Sequence, residues 1–356
     1  MVEINRNSVL ERAFGNLTKS QVIEVLKKFK NGFVLDKSKK NKSDLKEEFL
    51  LLGRVLSSQD IINLAEMAVM KRKKGLSAYT YKLNNLGKLN NKTPEQIKTE
   101  FMKSFVITPQ FEVVMMDIES DEKDIILKMS IKEYGTYWKM GVQDISSLTA
   151  VYHNTVTIEK SNSKISVEAG GDNIEDVIEK FLLNRLNVSF SPYNIRIFNA
   201  PTLEMDSASE KTMLILDFIY NRLPSRGISS SFNDVKFKLN STSQSGGLKG
   251  VTIHGNDIIN SDEACKYITL SNDIISFKTT SIYNGIKVNV HFSLKGKEYD
   301  KLKIVILDNK DEDFKLDVLN HIQEEYILMC NNGIMDIEAT RRILEPIYSS
   351  FIASHS

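Results

Sequence analysis

Apolar residues in the first hundred positions recur at the three- and four-residue spacing of an amphipathic helix. Four segments have this spacing, and each begins where a side chain can cap a helix: Thr18, Ser43 or Asp44, Ser57, and Thr93. The third segment continues through a basic run to Gly75, and the fourth has a stripe through Ile97, Phe101 and Phe105. The pattern predicts a small bundle of four helices.

After Pro109 the hydrophobic period changes from that of a helix to that of a strand. Strands are predicted at 110–118, 123–131, 154–159, 164–168, 188–198, 235–237, 274–283, 286–294 and 303–307. Asn284-Gly285, between two of these strands, is a strong hairpin signal. Helices are predicted from Asp172, over 207–222, over 314–329 and over 335–351, and the serine-rich stretch 225–247 is predicted to be an exposed loop around its one short strand.

These elements predict an α+β protein with two domains. A small basic helical bundle covers residues 1–106, and a larger domain of antiparallel sheets with covering helices covers 107–356, with a sub-boundary near 200–206. Two strands, 164–167 and 303–306, each lead through an acidic turn into an apolar-faced helix. This layout suggests a duplicated sheet-plus-helix unit, although acidic residues favour any helix N-terminus and can explain it without duplication.

The net charge of +1 conceals an uneven distribution of charged residues. The first 100 residues contain 20 Lys+Arg and 11 Asp+Glu, whereas the remainder contains 27 and 35. A basic first quarter favours contact with a polyanion such as nucleic acid. The alternative is a lysine-rich surface that serves only solubility.

The stretch from Leu17 to Leu52 in the basic region has a recognisable pattern. A capped helix over Leu17–Lys28 is followed by an extended link and by the lysine-rich start of a second helix. This arrangement resembles the helix-extension-helix modules of the SAP type, in which two short helices joined by an extended loop bind duplex DNA. The resemblance implies that lysines around the second helix approach the phosphates. The corresponding positions are Lys37, Lys39, Lys40, Lys42 and Lys46.

The densest cationic run lies at the end of the third predicted helix and consists of Lys71, Arg72, Lys73 and Lys74. Lys82 follows closely, as do Tyr79 and Tyr81, which could stack on unpaired bases. The run could instead be a solvated last turn that complements the helix dipole.

Candidate catalytic residues are few. The five histidines lie 30 or more residues apart, which predicts no metal site, and the sequence contains no phosphate-binding loop, so no cofactor is predicted. A metal-dependent nuclease would need acids and a lysine near a sheet. Two such sets can be drawn: Asp217 with Asp234 and Lys236, or Asp117 and Glu119 with Lys128. Cys265 and Cys330 are predicted to be buried and unreactive.

The preferred prediction is a non-enzymatic nucleic-acid-binding protein, with DNA favoured over RNA. The basic domain would grip the phosphate backbone, and the acidic remainder would recruit a protein partner. The alternatives are a metal-dependent nuclease or other nucleic-acid-processing enzyme with its site in the sheet domain, and a protein-interaction subunit that binds no nucleic acid. The sparse cysteines and the absence of a signal peptide or a long apolar stretch predict an intracellular protein, cytoplasmic or nucleoid/nuclear, without membrane contact.

Overall fold

The computed structural model describes residues 5–36, 38, 40–73, 75–135, 145–195, 208–239, 249–307 and 311–355. Helices account for 43% of the chain and antiparallel strands for 33%. The α+β class predicted from the sequence is therefore confirmed.

The chain forms two compact units, and each is assembled from separate stretches of sequence. The first unit contains Met1–Arg72, Leu86–Thr157 and Gly171–Val188, and the second contains Lys73–Asn85, Ile158–Gly170 and Ser189–Ser356. These units are defined by compactness in space, whereas the predicted domain boundary at residue 106 is a division along the sequence. The predicted boundary stays a prediction.

Four helices open the first unit: α1 (Arg6–Asn16), α2 (Lys19–Phe29), α3 (Lys46–Leu51) and α4 (Ser58–Val69). Thr18 and Ser57 cap α2 and α4 as predicted, and each forms a capping box, with Gln21 and Asp60 respectively. The apolar faces meet in one core that includes Leu10, Leu26, Phe49 and Ile61, each fully buried. Helix α1 was not predicted, because only three of its first eight residues are apolar.

The strands of the first unit follow a short helix, α5 (Pro94–Phe101). They are β2 (Ser104–Thr108), β3 (Phe111–Ser120), β4 (Asp124–Tyr134) and most of β5 (Leu148–Glu159), in that order across the sheet. Phe105 lies in β2 rather than on the predicted stripe of α5, and its ring packs 5.3 Å from Phe181 of α6 (Asp172–Asn184). The helical prediction failed at Phe105 because this residue lies four positions after Phe101, as in a helix, and it also fits the alternating pattern of β2.

The strands of the second unit have the order β6-β1-β12-β11-β10-β8-β9, with β7 also paired to β1. Their bounds are β1 (Leu76–Asn85), β6 (Lys164–Glu168), β7 (Ser189–Pro192), β8 (Ile228–Lys238), β9 (Gly250–His254), β10 (Asp273–Tyr283), β11 (Ile286–Lys295) and β12 (Lys301–Ile306). The prediction that the first hundred residues are helical is wrong for β1. Ala78, Tyr79, Thr80 and Tyr81 are all buried, so β1 lacks the alternation that marks a half-exposed strand.

The predicted loop over 225–247 is also wrong for most of its described part. Strand β8 buries Ile228, Phe232, Val235 and Phe237, while the serines between the first two occupy partly exposed or hydroxyl-bonded positions. Serine is common in loops, so its frequency concealed the strand pattern. Residues 240–248 lie outside the described residues.

Helices cover one face of the second-unit sheet: α7 (Glu210–Asp217) continuing through a π-helical turn (Phe218–Arg222) into α8 (Leu223–Ser225), then α9 (Asp262–Thr269), α10 (Glu312–Asn332) and α11 (Ile337–His355). In the core beneath these helices, the rings of Phe277 and Phe292 are stacked with their centroids 4.7 Å apart. The ring of Phe218 meets that of Phe292 edge to face, with the centroids 6.0 Å apart. The order β4-β5-β6-α6 along the chain has a counterpart in β10-β11-β12-α10. Acidic residues begin both helices, as the sequence predicted.

Candidate nucleic-acid interface

The helix-extension-helix segment has the local order that its sequence predicted. Helix α2 ends at Phe29, a link without helix or strand follows, and a 3₁₀ turn (Ser43–Leu45) leads into α3. Leu45 and Phe49 anchor the second helix in the core. This order is what the resemblance to SAP-type modules requires, and membership of that family stays a prediction.

The lysines predicted around the second helix differ in how they are held. Lys42 donates from Nζ to the carbonyl oxygen of Gly15 at 3.0 Å and lies 4.8 Å from the centre of the Phe14 ring. The Lys42 ammonium thus stabilises the C-terminal end of α1. Lys40 is exposed, and its carbonyl oxygen accepts a bond from Lys19, whereas Lys46 is exposed at the start of α3. Lys37 and Lys39 lie outside the described residues.

Three lysines near the same helices were missed by the site prediction. Lys27 and Lys28 are exposed in the last turn of α2, and Lys30, which follows it, pairs with Glu48 at 3.3 Å. A signal was present, since Lys27 and Lys28 fall opposite the buried stripe of Val22, Val25 and Leu26. The SAP-type pattern places the cations near the second helix, and the predicted positions follow it.

The basic run after α4 is extended rather than helical. Helix α4 ends at Val69, Met70 forms a parallel bridge with Val151, and the Lys71 N–H donates to the Val151 carbonyl oxygen at 2.8 Å. The prediction that the third helix continues through this run is wrong, because the backbone donor of Lys71 is bonded across to β5. Lys71 and Arg72 are exposed, Lys73 pairs with Glu168 at 2.7 Å, and Lys74 lies outside the described residues.

Lys82 is exposed on β1, but the neighbouring tyrosines cannot serve as stacking platforms. Tyr79 and Tyr81 are fully buried, and the ammonium of Lys301 lies 5.2 Å and 5.4 Å from their ring centres. Stacking on a base requires an accessible ring. These two tyrosines therefore belong to the packing of the second unit.

The acids considered for nuclease chemistry are engaged with protein groups. Asp217 is fully buried and accepts the N–H of Met335 at 2.9 Å and the hydroxyl of Thr340 at 3.1 Å. Asp117 and Glu119 do lie near Lys128, which bonds Glu119 and lies 3.9 Å from Asp117. The pKa of Asp117 is lowered by the Ile118 N–H, by Lys98 and by Lys128.

The remaining acid of that alternative, Asp234, bonds His254 at 2.9 Å and Lys278. His254 is the last residue of β9. Within the described parts of the chain, no group of three or more His, Cys, Asp or Glu side chains is placed to hold a metal ion.

Cys265 and Cys330 are buried, as predicted. Burial raises the pKa of both thiols, that of Cys330 to about 12. A thiol in this state is protonated near neutral pH and is a poor nucleophile.

No protein-family model matches the sequence, and no curated protein matches it. Among the residues that the structure describes, no helix combines the length and apolar character needed to cross a membrane.

Proposed function

We propose that the protein binds nucleic acid, duplex DNA in preference to RNA, through exposed cations of its first unit, and that it acts as a non-enzymatic adaptor. The observation that carries this proposal is the state of Lys40, Lys46, Lys71 and Arg72. All four are exposed, and none has an ion pair within the described residues. Such cations are open to phosphate, because no carboxylate of the described residues lies within ion-pair distance of them.

Charge distribution along the chain supports the same proposal. The excess of Lys+Arg falls in the first 100 residues, while the remainder has an excess of Asp+Glu. A surface that binds a phosphate backbone needs local rather than overall positive charge. The acidic remainder would engage a protein partner, and the reduced, buried cysteines are compatible with the proposed intracellular location.

The decisive experiment is fluorescence anisotropy of a labelled duplex with the full chain over a salt series. Binding should weaken steeply with salt, since the log of affinity falls by about 0.9 per decade of salt for each phosphate contact. The double variants Lys40→Ala/Lys46→Ala and Lys71→Ala/Arg72→Ala should each lower that slope by about 1 to 2. The matched control is Lys123→Ala/Lys180→Ala, which removes two exposed lysines from the same unit and should leave the slope unchanged.

The other two candidate functions give different results in the same experiment. Cleavage of the duplex that requires a divalent metal would overturn the non-enzymatic proposal in favour of a nuclease. An absence of binding at low salt would leave the protein-interaction subunit. A loss of slope in the control equal to that in the test variants would mean that binding follows net charge alone.

A further inference from the structure

The sheet of the second unit has two chemically different faces. One face packs under the helices and carries Phe232, Phe277, Val290, Phe292 and Ile304, all buried. Successive residues of a strand point to opposite faces, so the residues between these form a second face. That second face carries polar and cationic side chains across β9, β8, β10 and β11.

The strand register aligns these side chains in two neighbouring rows. The first row runs across the four strands through His254, Asp234, Lys278 and His291. The second row runs through Thr252, Lys236, Ser276 and Ser293 and continues to Lys303 on β12. These nine residues define the polar sheet face, which holds three lysines and two histidines against a single carboxylate.

The polar sheet face is accessible on β9, β8 and β10, whereas on β12 Lys303 is buried and donates to the Gly170 carbonyl oxygen at 2.9 Å. Lys236 and Thr252 are exposed, and the side chains of Lys278 and His254 are 46% and 70% exposed. Neighbouring strands lie about 4.8 Å apart, so the four strands β9, β8, β10 and β11 together span about 15 Å.

Cations on this face crowd one another around His291. Burial, together with Lys278, Lys295 and Lys303, lowers the pKa of His291, and only Asp234 opposes this. The imidazole Nε2 bonds Ser276 at 2.9 Å. A bound anion would relieve the repulsion among these groups, whereas a bound cation would increase it.

We propose that the polar sheet face is a second phosphate-binding surface, which holds the backbone of a nucleic-acid duplex. The proposal rests on the proposed function. Lysine ammonium groups and the hydroxyls of Thr252, Ser276 and Ser293 are the usual donors to phosphate oxygens. The rows contain no exposed aromatic ring for stacking on unpaired bases, which favours contact with a duplex backbone. On β9, β8, β10 and β11 the two rows contain no apolar side chain that could enter a membrane, and Val305, which pairs with His291 on β12, is partly buried.

The test uses the full chain and a pair of variants with the same change in charge. Lys236→Glu alters the polar sheet face, and Lys266→Glu alters an exposed position of α9, on a helix whose Cys265 and Ile268 enter the core. With a labelled duplex, Lys236→Glu should weaken binding at least fivefold and lower the salt slope by about 1. Lys266→Glu should bind within twofold of the unaltered chain.

A second measurement detects binding at the polar sheet face itself. The His291 imidazole is titrated by NMR with and without saturating duplex, and its pKa should rise when the duplex binds. Poly-glutamate of matched charge serves as the comparison, and it should give a clearly smaller rise.

The outcomes separate this proposal from the proposed function. If the duplex binds and Lys71→Ala/Arg72→Ala weakens it, but Lys236→Glu binds normally and His291 does not shift, the polar sheet face is not a contact and only the proposed function stands. An equal His291 response to poly-glutamate would assign the face to an acidic protein instead. If no duplex binds at low salt, both proposals fail.

Discussion

At the scale of single residues, the second unit depends on a buried ion network around Asp217. Arg222 Nε lies 3.3 Å from the Asp217 carboxylate, and Arg222 also donates to the Gly333 carbonyl oxygen at 2.7 Å. Asp217 in turn accepts the N–H groups of Met335 and Asp336, just before α11. The carboxylate therefore holds the chain that enters α11, which explains why a residue considered for metal chemistry is fully buried.

Asp217→Ala should destabilise the protein by about 3 to 5 kcal/mol, because it removes a buried carboxylate that pairs with Arg222 and leaves the N–H groups of Met335 and Asp336 without their acceptor. The free energy of unfolding in urea measures this loss. Glu338→Ala is the control, since Glu338 pairs with Arg341 at 2.7 Å on the surface and should change stability by no more than about 1 kcal/mol. Equal effects of the two changes would contradict the structural role of Asp217.

His291 should make stability depend on pH in mildly acidic solution. Its folded-state pKa lies below the ordinary value of about 6.5, so the unfolded chain binds its proton more readily. This contribution is present above about pH 6.5 and is lost as the pH falls through the folded-state pKa. His291→Gln should therefore flatten the dependence of the urea midpoint on pH below about 6.5. A variant that keeps the slope of the unaltered chain would exclude His291 as its source.

At the scale of elements, two turns require glycine for different reasons: one for its backbone conformation alone, the other also because there is no space for a side chain. Gly285 in the β10–β11 hairpin has φ +72°, and open space surrounds the position where a Cβ would lie. Gly87 has φ +57°, but a Cβ there would lie 2.1 Å from the Asn187 carbonyl oxygen. Both positions favour glycine, and only the second also excludes a side chain for lack of space.

Gly285→Ala should cost about 1 to 2 kcal/mol, the penalty of a left-handed backbone for a residue with a Cβ. Gly87→Ala should cost at least twice as much, because the backbone must also move. Urea unfolding of the two variants side by side measures the difference. A cost at Gly87 no larger than that at Gly285 would show that the Asn187 segment yields freely.

Elements with a strong local signal were predictable from the sequence. Capping residues located α2, α4 and α5, and Asn284-Gly285 located the hairpin, because each signal depends on residues a few positions apart. Strand β1 was not predictable in this way. It is buried on both faces between β6 and β12, so its pattern reflects neighbours that are distant in sequence.

At the scale of the whole molecule, the position of β1 predicts the result of a truncation. A chain that starts at Val106 lacks β1, which pairs with β6, β7 and β12 in the second unit. It should lose the cooperative unfolding transition and near-ultraviolet circular dichroism of the full chain. A shorter chain with a sharp transition and undiminished ellipticity would show that the sheet tolerates the loss of β1. Point variants rather than truncation are accordingly the means to locate nucleic-acid contacts.

The candidate interface was only partly accessible to sequence reasoning. The basic first quarter and the helix-extension-helix order were visible along the chain, and the cations of Lys46, Lys71 and Arg72 are exposed as a binding site would need. The bracing role of Lys42 and the pairing of Lys73 with Glu168 were not visible. Both depend on groups that are 27 and 95 residues away along the chain.

The sequence by itself determined the α+β class, the capped helices, the central hairpin and the uneven distribution of charge. Each of these follows from composition or from spacings within one turn or one strand. Only the tertiary structure decided which charges are free, why Asp217 is buried, and that an acidic stretch of chain presents a cationic polar sheet face. Strand register brings side chains from four separate strands into one row, and register is set by the burial of the opposite face rather than by the polar residues themselves.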